Sequence, residues 1–316
     1  MRYFEDLVVG GRASFGDYAV TREEVLDFAR RYDPQPFHLD DDAAAATHFG
    51  RLAASGWHTA AMTMAMLVAQ MGRTAEASLG EVVERAAKLP LLSQPGREWN
   101  YSIATDVLGH FVAVVSGQDF GAFLHERVLA PLGMAETGWH VPEAAAPRFA
   151  ANYYRGPDGK PALLDDPGTS RYLKPAPLAS GGGGLVSTAG DYLRFCRFML
   201  NRGELDGVRL LGRKTVDLMT MNHLGGDLAS MGQPRFSESN YNGIGFGLGF
   251  SVMLDPAAAQ VLGTPGEYAW GGAASTAFWI DPAEEMAVIL MTQLTPSSTY
   301  PIRRELRVLT YSALVE

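Results

Sequence analysis

The sequence predicts a mixed α/β (α+β) fold made of two dissimilar segments, residues 1–79 and 80–316. Three observations lead there. Capped, apolar-periodic runs mark helices, beginning at Thr21-Arg-Glu-Glu24, where Thr and Glu have the spacing of a capping box. Strand signals gather near the C-terminus, in the glycine–apolar alternation of Gly243 to Phe250 and in the runs Ala277 to Ile280 and Met286 to Thr292. Between them the pattern changes at Ser78-Leu-Gly80, where an apolar segment gives way to a charged helix-to-proline passage, Glu81 to Pro90.

Composition narrows the classes. The chain has 316 residues, 47% of them hydrophobic and 19% charged, which reads as folded and rich enough to build a core. A net charge of −9 argues against non-specific nucleic-acid binding, although it leaves room for a locally basic pocket. Cys196 is the only cysteine, so neither an intrachain disulfide nor a cysteine metal cluster is expected. It lies on the apolar face of a helix-like run, Tyr192 to Leu200, and reads as a buried structural thiol rather than a reactive one. The seven histidines form no His-x-x-x-His with a supporting Glu, so no metal and no cofactor is expected. The N-terminus shows no basic-then-apolar leader, and the run Ala60 to Met71 is shorter than the roughly 20 residues that cross a bilayer. A cytoplasmic protein with no membrane partner is the expectation.

In the first segment, Gly10, Gly11 and Gly16 among short alternating stretches suggest an edge strand and turns over residues 1–20. A helix follows from Thr21 to near Tyr32. Pro34 and Pro36 then make Tyr32 to His38 a rigid, non-helical loop that fixes Asp33 and His38. A short Ala-rich helix, Asp41 to His48, leads through Phe49-Gly50 and Ser55-Gly56-Trp57-His58 into an apolar helix ending near Met71. Taken alone, Asp33 reads as an Asp-Pro turn residue and His38 as a loop hydrogen-bonder.

From Phe4 to about Gly80 the sequence resembles the MaoC-type (R)-specific enoyl-CoA hydratases, through the spacing of Asp33 and His38 and through Phe49-Gly50 with Ala54-Ser55-Gly56-Trp57-His58. That resemblance implies a hot-dog fold, here partial, because the strands that would wrap the central helix do not follow it. It also implies that Asp33 and His38 activate a water, while a backbone N–H near Gly56 polarises the thioester carbonyl of an acyl-CoA. A carboxylate and an imidazole can share acid and base work, and a helix N-terminus stabilises developing negative charge. The unwrapped apolar helix over residues 57–71 is expected to drive self-association.

The second segment opens on Gln94-Pro95-Gly96-Arg97-Glu98-Trp99-Asn100-Tyr101-Ser102. Pro95-Gly96 is a turn, Trp99 a large apolar anchor, and Tyr101-Ser102 the start of a helical run that Gly117 stops. Phe120 to Leu129 reads as a further helix, and the chain is loop-rich from there to Pro177. Ser180-Gly-Gly-Gly-Gly184-Leu-Val-Ser-Thr188 lacks the Lys-Ser/Thr of a phosphate loop; it reads as a close backbone approach, with Thr188 to Asp191 capping the next helix. Leu205 to Met221 suggests a helical hairpin, Gly243 to Phe250 a strand, and Pro301 to Leu314 a final helix.

This segment resembles the serine β-lactamases and their esterase relatives, whose β-lactamase/transpeptidase-like fold it would share without the N-terminal strands and the nucleophile-bearing helix. The resemblance assigns Tyr101 as general base and Trp270-Gly271-Gly272 as the substrate-lining third motif, on an edge strand. The second motif usually reads Tyr-x-Asn; Tyr101-Ser102-Ile103 and the Trp-Gly-Gly both lean toward the esterase-like branch. The nucleophile of that family sits in Ser-x-x-Lys, and no serine here has lysine three residues on; Ser170 has Lys174 at four. No Gly-x-Ser-x-Gly elbow is present either, and Ser102, adjacent to Tyr101, points elsewhere on the helix.

The expected function is therefore an esterase-like acyl-transfer scaffold for a small-molecule ester or amide, inactive for want of its nucleophile. The alternatives are hydratase activity through Asp33 and His38, and a non-functional hybrid of two truncated genes.

Overall fold

The computed structural model describes residues 19–47, 50–55, 78–89, 91, 93–156, 158–232, 235–236 and 239–315. The chain divides into two compact units, Met1–Leu89 and Pro90–Glu316. The suggested N-terminal edge strand, the central helix over 57–71 with its self-association, and Gly56 all lie outside the described residues.

In the first unit, α1 spans Arg22–Tyr32. Its capping box forms as the sequence predicts: Thr21 Oγ1 accepts from Glu24 N at 3.2 Å and Glu24 Oε2 accepts from Thr21 N at 2.8 Å. The proline-bracketed loop differs from expectation, since Pro36 starts a single turn of helix, α2, Pro36–Leu39. Proline at the first helical position loses no hydrogen bond and already has the helical φ. Asp40 then caps α3, Asp41–Ala45, shorter than the predicted run to His48. Helix α4, Leu79–Ala86, carries a second capping box through Ser78 and Glu81.

The second unit is built on a five-stranded antiparallel sheet in the order β11-β10-β9-β8-β7. The strands are β7 Ile244–Phe246, β8 Ser251–Met253, β9 Tyr268–Gly271, β10 Ala277–Asp281 and β11 Met286–Leu290. The run Gly243 to Phe250 thus holds one short strand, β7, and then the turn into β8, because Gly247 and Gly249 supply the turn and Gly249 takes a positive φ of 96°. Side chains alternate between the two sheet faces. Val252, Tyr268, Phe278 and Ile280 point into the core, where they meet Cys196, Phe198 and Met199 of α7, Ala189–Leu200. Cys196 is fully buried, as its place on an apolar helix face predicts. The other sheet face, with Ser251, Ala269, Ala277 and Trp279, lines a cavity.

The remaining elements frame this layer. Helix α5 spans Ala104–Ser116 and ends on Gly117 in the left-handed region at φ 69°. It begins three residues after Tyr101, so the tyrosine precedes the helix rather than opening it. Helix α6, Phe120–Leu124, runs on into a wider turn, His125–Leu129. The loop-rich stretch holds a hairpin, β1 Asn152–Arg155 with β2 Pro161–Asp165, and β1 also pairs in parallel with β12, Leu294–Thr295.

The expected helical hairpin at 205–221 is half strand. Asp206 and Gly207, at φ 50° and 82°, turn β3, Glu204–Leu205, into β4, Val208–Arg209, before helix α8, Arg213–Met219. Asp-Gly is a strong two-residue hairpin signal. An antiparallel pair of short strands, β5 Arg235–Phe236 and β6 Ser239–Asn240, a short α9, Pro256–Ala259, and the C-terminal α10, Ile302–Ser312, complete the unit. Among the described residues no single helix is long and apolar enough to cross a membrane; α5 with the 120–129 helix passes only as a pair bent by 84°.

Candidate active site

The second-motif stretch is anchored through its tryptophan. Trp99 N donates to Met231 O at 3.0 Å. Its ring meets Phe246 at 5.1 Å, Tyr241 at 6.4 Å and Trp270 at 6.5 Å between centroids. Tyr101, 51% exposed, lies over Trp270 with centroids 6.0 Å apart and planes 21° from parallel. The structure therefore brings together Tyr101 and Trp270, which are 169 positions apart in sequence. Both are among the residues that line a cavity of about 660 Å³, as are Gly271 and Gly272. A concave, largely apolar space with a few polar groups is the usual form of a small-molecule site.

Trp270-Gly271 belongs to the middle strand of five, not to an edge strand as the resemblance implies. The β7–β8 hairpin flanks it on the side opposite β10. Its pairing with β9 reaches only Tyr268 and Ala269, through Val252 and Ser251, so the motif lies past the last residue paired with β8, while Trp270 and Gly271 pair with Phe278 and Ala277 of β10. The two glycines are required by crowding: a Cβ on Gly271 would stand 2.8 Å from Arg303 Cζ, and one on Gly272 would stand 2.4 Å from Thr276 Oγ1. Arg303 of α10 fixes the end of the strand, its Nη2 donating to Gly272 O at 2.6 Å and to Thr276 O at 2.8 Å.

The glycine run before α7 packs on the first turn of α5. Asp106 Oδ1 accepts from Ser180 Oγ at 2.6 Å, Gly181 N at 3.0 Å and Gly182 N at 3.3 Å. Trp139 Nε1 donates to Ser180 O at 3.2 Å. A Cβ at Gly181 would sit 2.1 Å from Thr105 O. The glycines permit a backbone-on-backbone approach beside the helix that follows Tyr101, which is the reading the sequence favoured over a phosphate loop.

Two serines near Tyr101 and on the cavity wall are engaged locally. Ser102 Oγ accepts from Ala104 N at 3.3 Å, so it serves the first turn of α5. Ser251, on the cavity wall, donates to Ala269 O at 2.9 Å. Among the described residues no group of three or more His, Cys, Asp or Glu is placed to hold a metal ion.

In the first unit, α1 and α2 bring Asp33 and His38 together. His38 is 4% exposed; its Nδ1 lies 2.8 Å from Ala53 O and its Nε2 3.5 Å from Asp33 Oδ2. If Nδ1–H donates to the Ala53 carbonyl, Nε2 is the nitrogen turned to Asp33. Asp33 Oδ1 accepts from Gln35 Nε2 at 2.9 Å, so the carboxylate is held from two sides.

Sequence reasoning did not reach Tyr241, Phe246 or Arg303. Each joins the site through tertiary packing alone. The one signal available was composition: an arginine pair, Arg303-Arg304, at the start of the last helix.

The whole sequence compares with known proteins as this geometry suggests. A family model described as Beta-lactamase matches residues 13–312, so the match also takes in most of the stretch that resembles the hydratases. Protein Rv1367c of Mycobacterium tuberculosis is 38% identical over 216 residues, covering 66% of this chain and 52% of the relative. Esterase EstB of Burkholderia gladioli is 32% identical over 233 residues, covering 68% and 54%. The solved structure of EstCE1, a hydrolase with promiscuous acyltransferase activity, superposes with a TM-score of 0.59 at 26% identity, covering 73% of this chain and 61% of that one. The chain spans about half the length of the curated relatives it matches. By this match along nearly its whole length, and by a mixed α/β scaffold like that of esterases and acyltransferases, the chain belongs to the β-lactamase family.

Proposed function

We propose that this chain is an esterase-like acyl-transfer scaffold that receives a small-molecule ester or amide beside the Tyr101–Trp270 contact without forming an acyl-serine. The observation that carries the reading is the near-parallel contact of Tyr101 with Trp270, which joins the second and third motifs over one cavity. Tyr101 stands in the position of a base, and Trp270-Gly271-Gly272 lines the space an acyl carbonyl would enter. A base needs a nucleophile within about 2.6–3.2 Å, and residues 1–316 contain no Ser-x-x-Lys to supply one. The test is labelling of the purified chain with a fluorophosphonate and with a penicillin, alongside ester binding followed by tryptophan fluorescence. Saturable quenching that Trp270→Ala abolishes, with no labelled residue, is expected. A single labelled serine would overturn the missing-nucleophile argument.

One observation favours a second reading. Asp33 Oδ2 and His38 Nε2 lie 3.5 Å apart, which supports a reading in which a carboxylate and an imidazole share the acid and base work of enoyl-CoA hydration. Hydration of crotonyl-CoA lost in both Asp33→Asn and His38→Ala supports it; activity that survives both removes these residues as its source. A chain that neither binds esters nor hydrates crotonyl-CoA is the non-functional hybrid.

A further inference from the structure

The five-stranded sheet has two ends, and the fold treats them differently. At one end a loop closes β7. Ile244 O accepts from Leu228 N at 2.8 Å, Phe246 O accepts from His223 N at 2.9 Å, and Phe246 N donates to Asn222 Oδ1 at 3.0 Å. At the other end β11 pairs with β10 alone. Alternate residues of such a strand turn N–H and C=O away from the sheet. No strand or loop among the described residues takes those groups of β11.

Open edges are usually blunted by a lysine, a proline or a bulge. β11 carries none of these: Met286-Ala287-Val288-Ile289-Leu290 is apolar throughout and pairs with β10 without a shift of register. Ala287 and Ile289 stand opposite Ile280 and Phe278 on the core face of the sheet. Met286, Val288 and Leu290 stand on the other face, opposite Asp281, Trp279 and Ala277. A strand that matches this edge is therefore uncharged and apolar on both faces, and β11 is itself such a strand.

We propose that two copies of this chain join edge to edge through β11, antiparallel about a two-fold axis at Val288, so that two five-stranded sheets become one of ten strands. Only this register maps all five residues onto one another. Val288 meets its own copy, Met286 meets Leu290, and Ala287 meets Ile289. Each of these pairs shares a face of the sheet, as residues directly opposite must. The flanking charges select the same arrangement. The exposed Glu284 and Glu285 before β11 fall opposite Thr292 and the exposed Met291 after it. An axis at Ala287 would set Glu285 against Ile289, and parallel pairing in register would set Glu285 against Glu285, both unfavourable. Because the loop at 222–228 closes β7, the pairing occupies the one open end of this sheet and stops at two copies. A five-residue edge is about 17 Å long, so an affinity on the order of micromolar is expected.

The experiment uses the full chain without ligand, so its outcome is independent of ester binding. Sedimentation between about 1 and 100 μM should show the mass rise from 34.1 kDa toward twice that value. Val288→Cys should cross-link to its own copy under mild oxidation, since opposed Cβ atoms lie about 4.5–5.5 Å apart. Met286→Cys and Leu290→Cys should cross-link only when mixed. Cys196 is fully buried and does not compete. Met291 is exposed, so its variants should fold as the wild type does. Met291→Glu sets an acid against Glu285 at both ends of the pair and should raise the dimer Kd about tenfold, while Met291→Lys should lower it by a similar factor. A chain that stays monomeric throughout, even one that captures an added extended apolar peptide, would overturn the proposal. So would a dimer in which Val288→Cys does not cross-link, as in association through residues 57–71, or an equal Kd for Met291→Glu and Met291→Lys.

Discussion

The glycine run at 180–184 offers a sharp contrast between two neighbouring positions. A methyl group added at Gly181 would lie 2.1 Å from Thr105 O and 2.8 Å from Thr105 C, both backbone atoms. Real Cβ contacts essentially never fall under 3.0 Å, so run and helix must part by about 0.9 Å. Overpacking of this kind costs about 1–3 kcal/mol, and with no flexible side chain to yield, the upper end applies. The same movement loosens the bonds from Gly181 N and Gly182 N to Asp106, each worth about 1.5–3 kcal/mol as hydrogen bonds to a charged group when fully lost. Gly181→Ala should therefore destabilise by about 3–5 kcal/mol, which for a unit of this size lowers Tm by about 10 °C. At Gly183 the same methyl group meets nothing within 4 Å and the backbone is not left-handed, so Gly183→Ala should be neutral or stabilise by up to about 1 kcal/mol. Urea unfolding followed by tryptophan fluorescence measures both, since Trp139 donates to Ser180 O. A Gly181→Ala variant within about 0.5 kcal/mol of the wild type, or a Gly183→Ala variant as damaged as Gly181→Ala, would refute the close-approach argument.

Other outcomes follow from single contacts. Trp99→Ala removes the ring that Phe246, Tyr241 and Trp270 pack against; as a half-buried aromatic it should cost about 3 kcal/mol in denaturant unfolding and leave Tyr101 reacting faster with tetranitromethane. Gly271→Ala should push against Arg303 and Thr276 O, weakening ester binding at the cavity by tenfold or more in a quenching titration while Gly225→Ala, in open space, leaves it unchanged. Burial pushes the Cys196 thiol up from 9.0 to about 12, so the protonated thiol contributes stability that is fully present below pH 9 and lost as pH rises toward 12. At about pH 11 the loss from this group should be roughly 2.7 kcal/mol, and Cys196→Ala should remove that part of the alkaline slope in pH-dependent melting. Burial also pushes Tyr192, Tyr268 and Tyr311 upward, which adds to the same alkaline loss above pH 10.

Local chemistry was legible where neighbours in sequence settle the matter. The capping box at Thr21, the stop at Gly117 and the cap at Thr188 need only residues three or four apart, and the box at Ser78 was equally local but went unread. Strands β10 and β11 and the final helix could be placed from their patterns. The glycine run at 243–250 could be placed only in part, since its period of two continues past β7 into the turn at Gly247 and Gly249. Asp206-Gly207 was a readable turn that the helical pattern around it obscured. Tyr101 and Trp270-Gly271-Gly272 were each singled out from adjacent residues, and Asp33 with His38 from a spacing of five.

By itself, then, the sequence determined the mixed α/β class, the esterase-leaning motifs of a β-lactamase scaffold and the lack of Ser-x-x-Lys, since each is a statement about residue types at short range. Only the tertiary structure decided that Trp270 lies against Tyr101, that its strand sits in the middle of five, and that Arg303 ties off the end of that strand. Those are contacts across 27 to 169 positions, fixed by sheet order and by the seat of the last helix, and no local pattern encodes them.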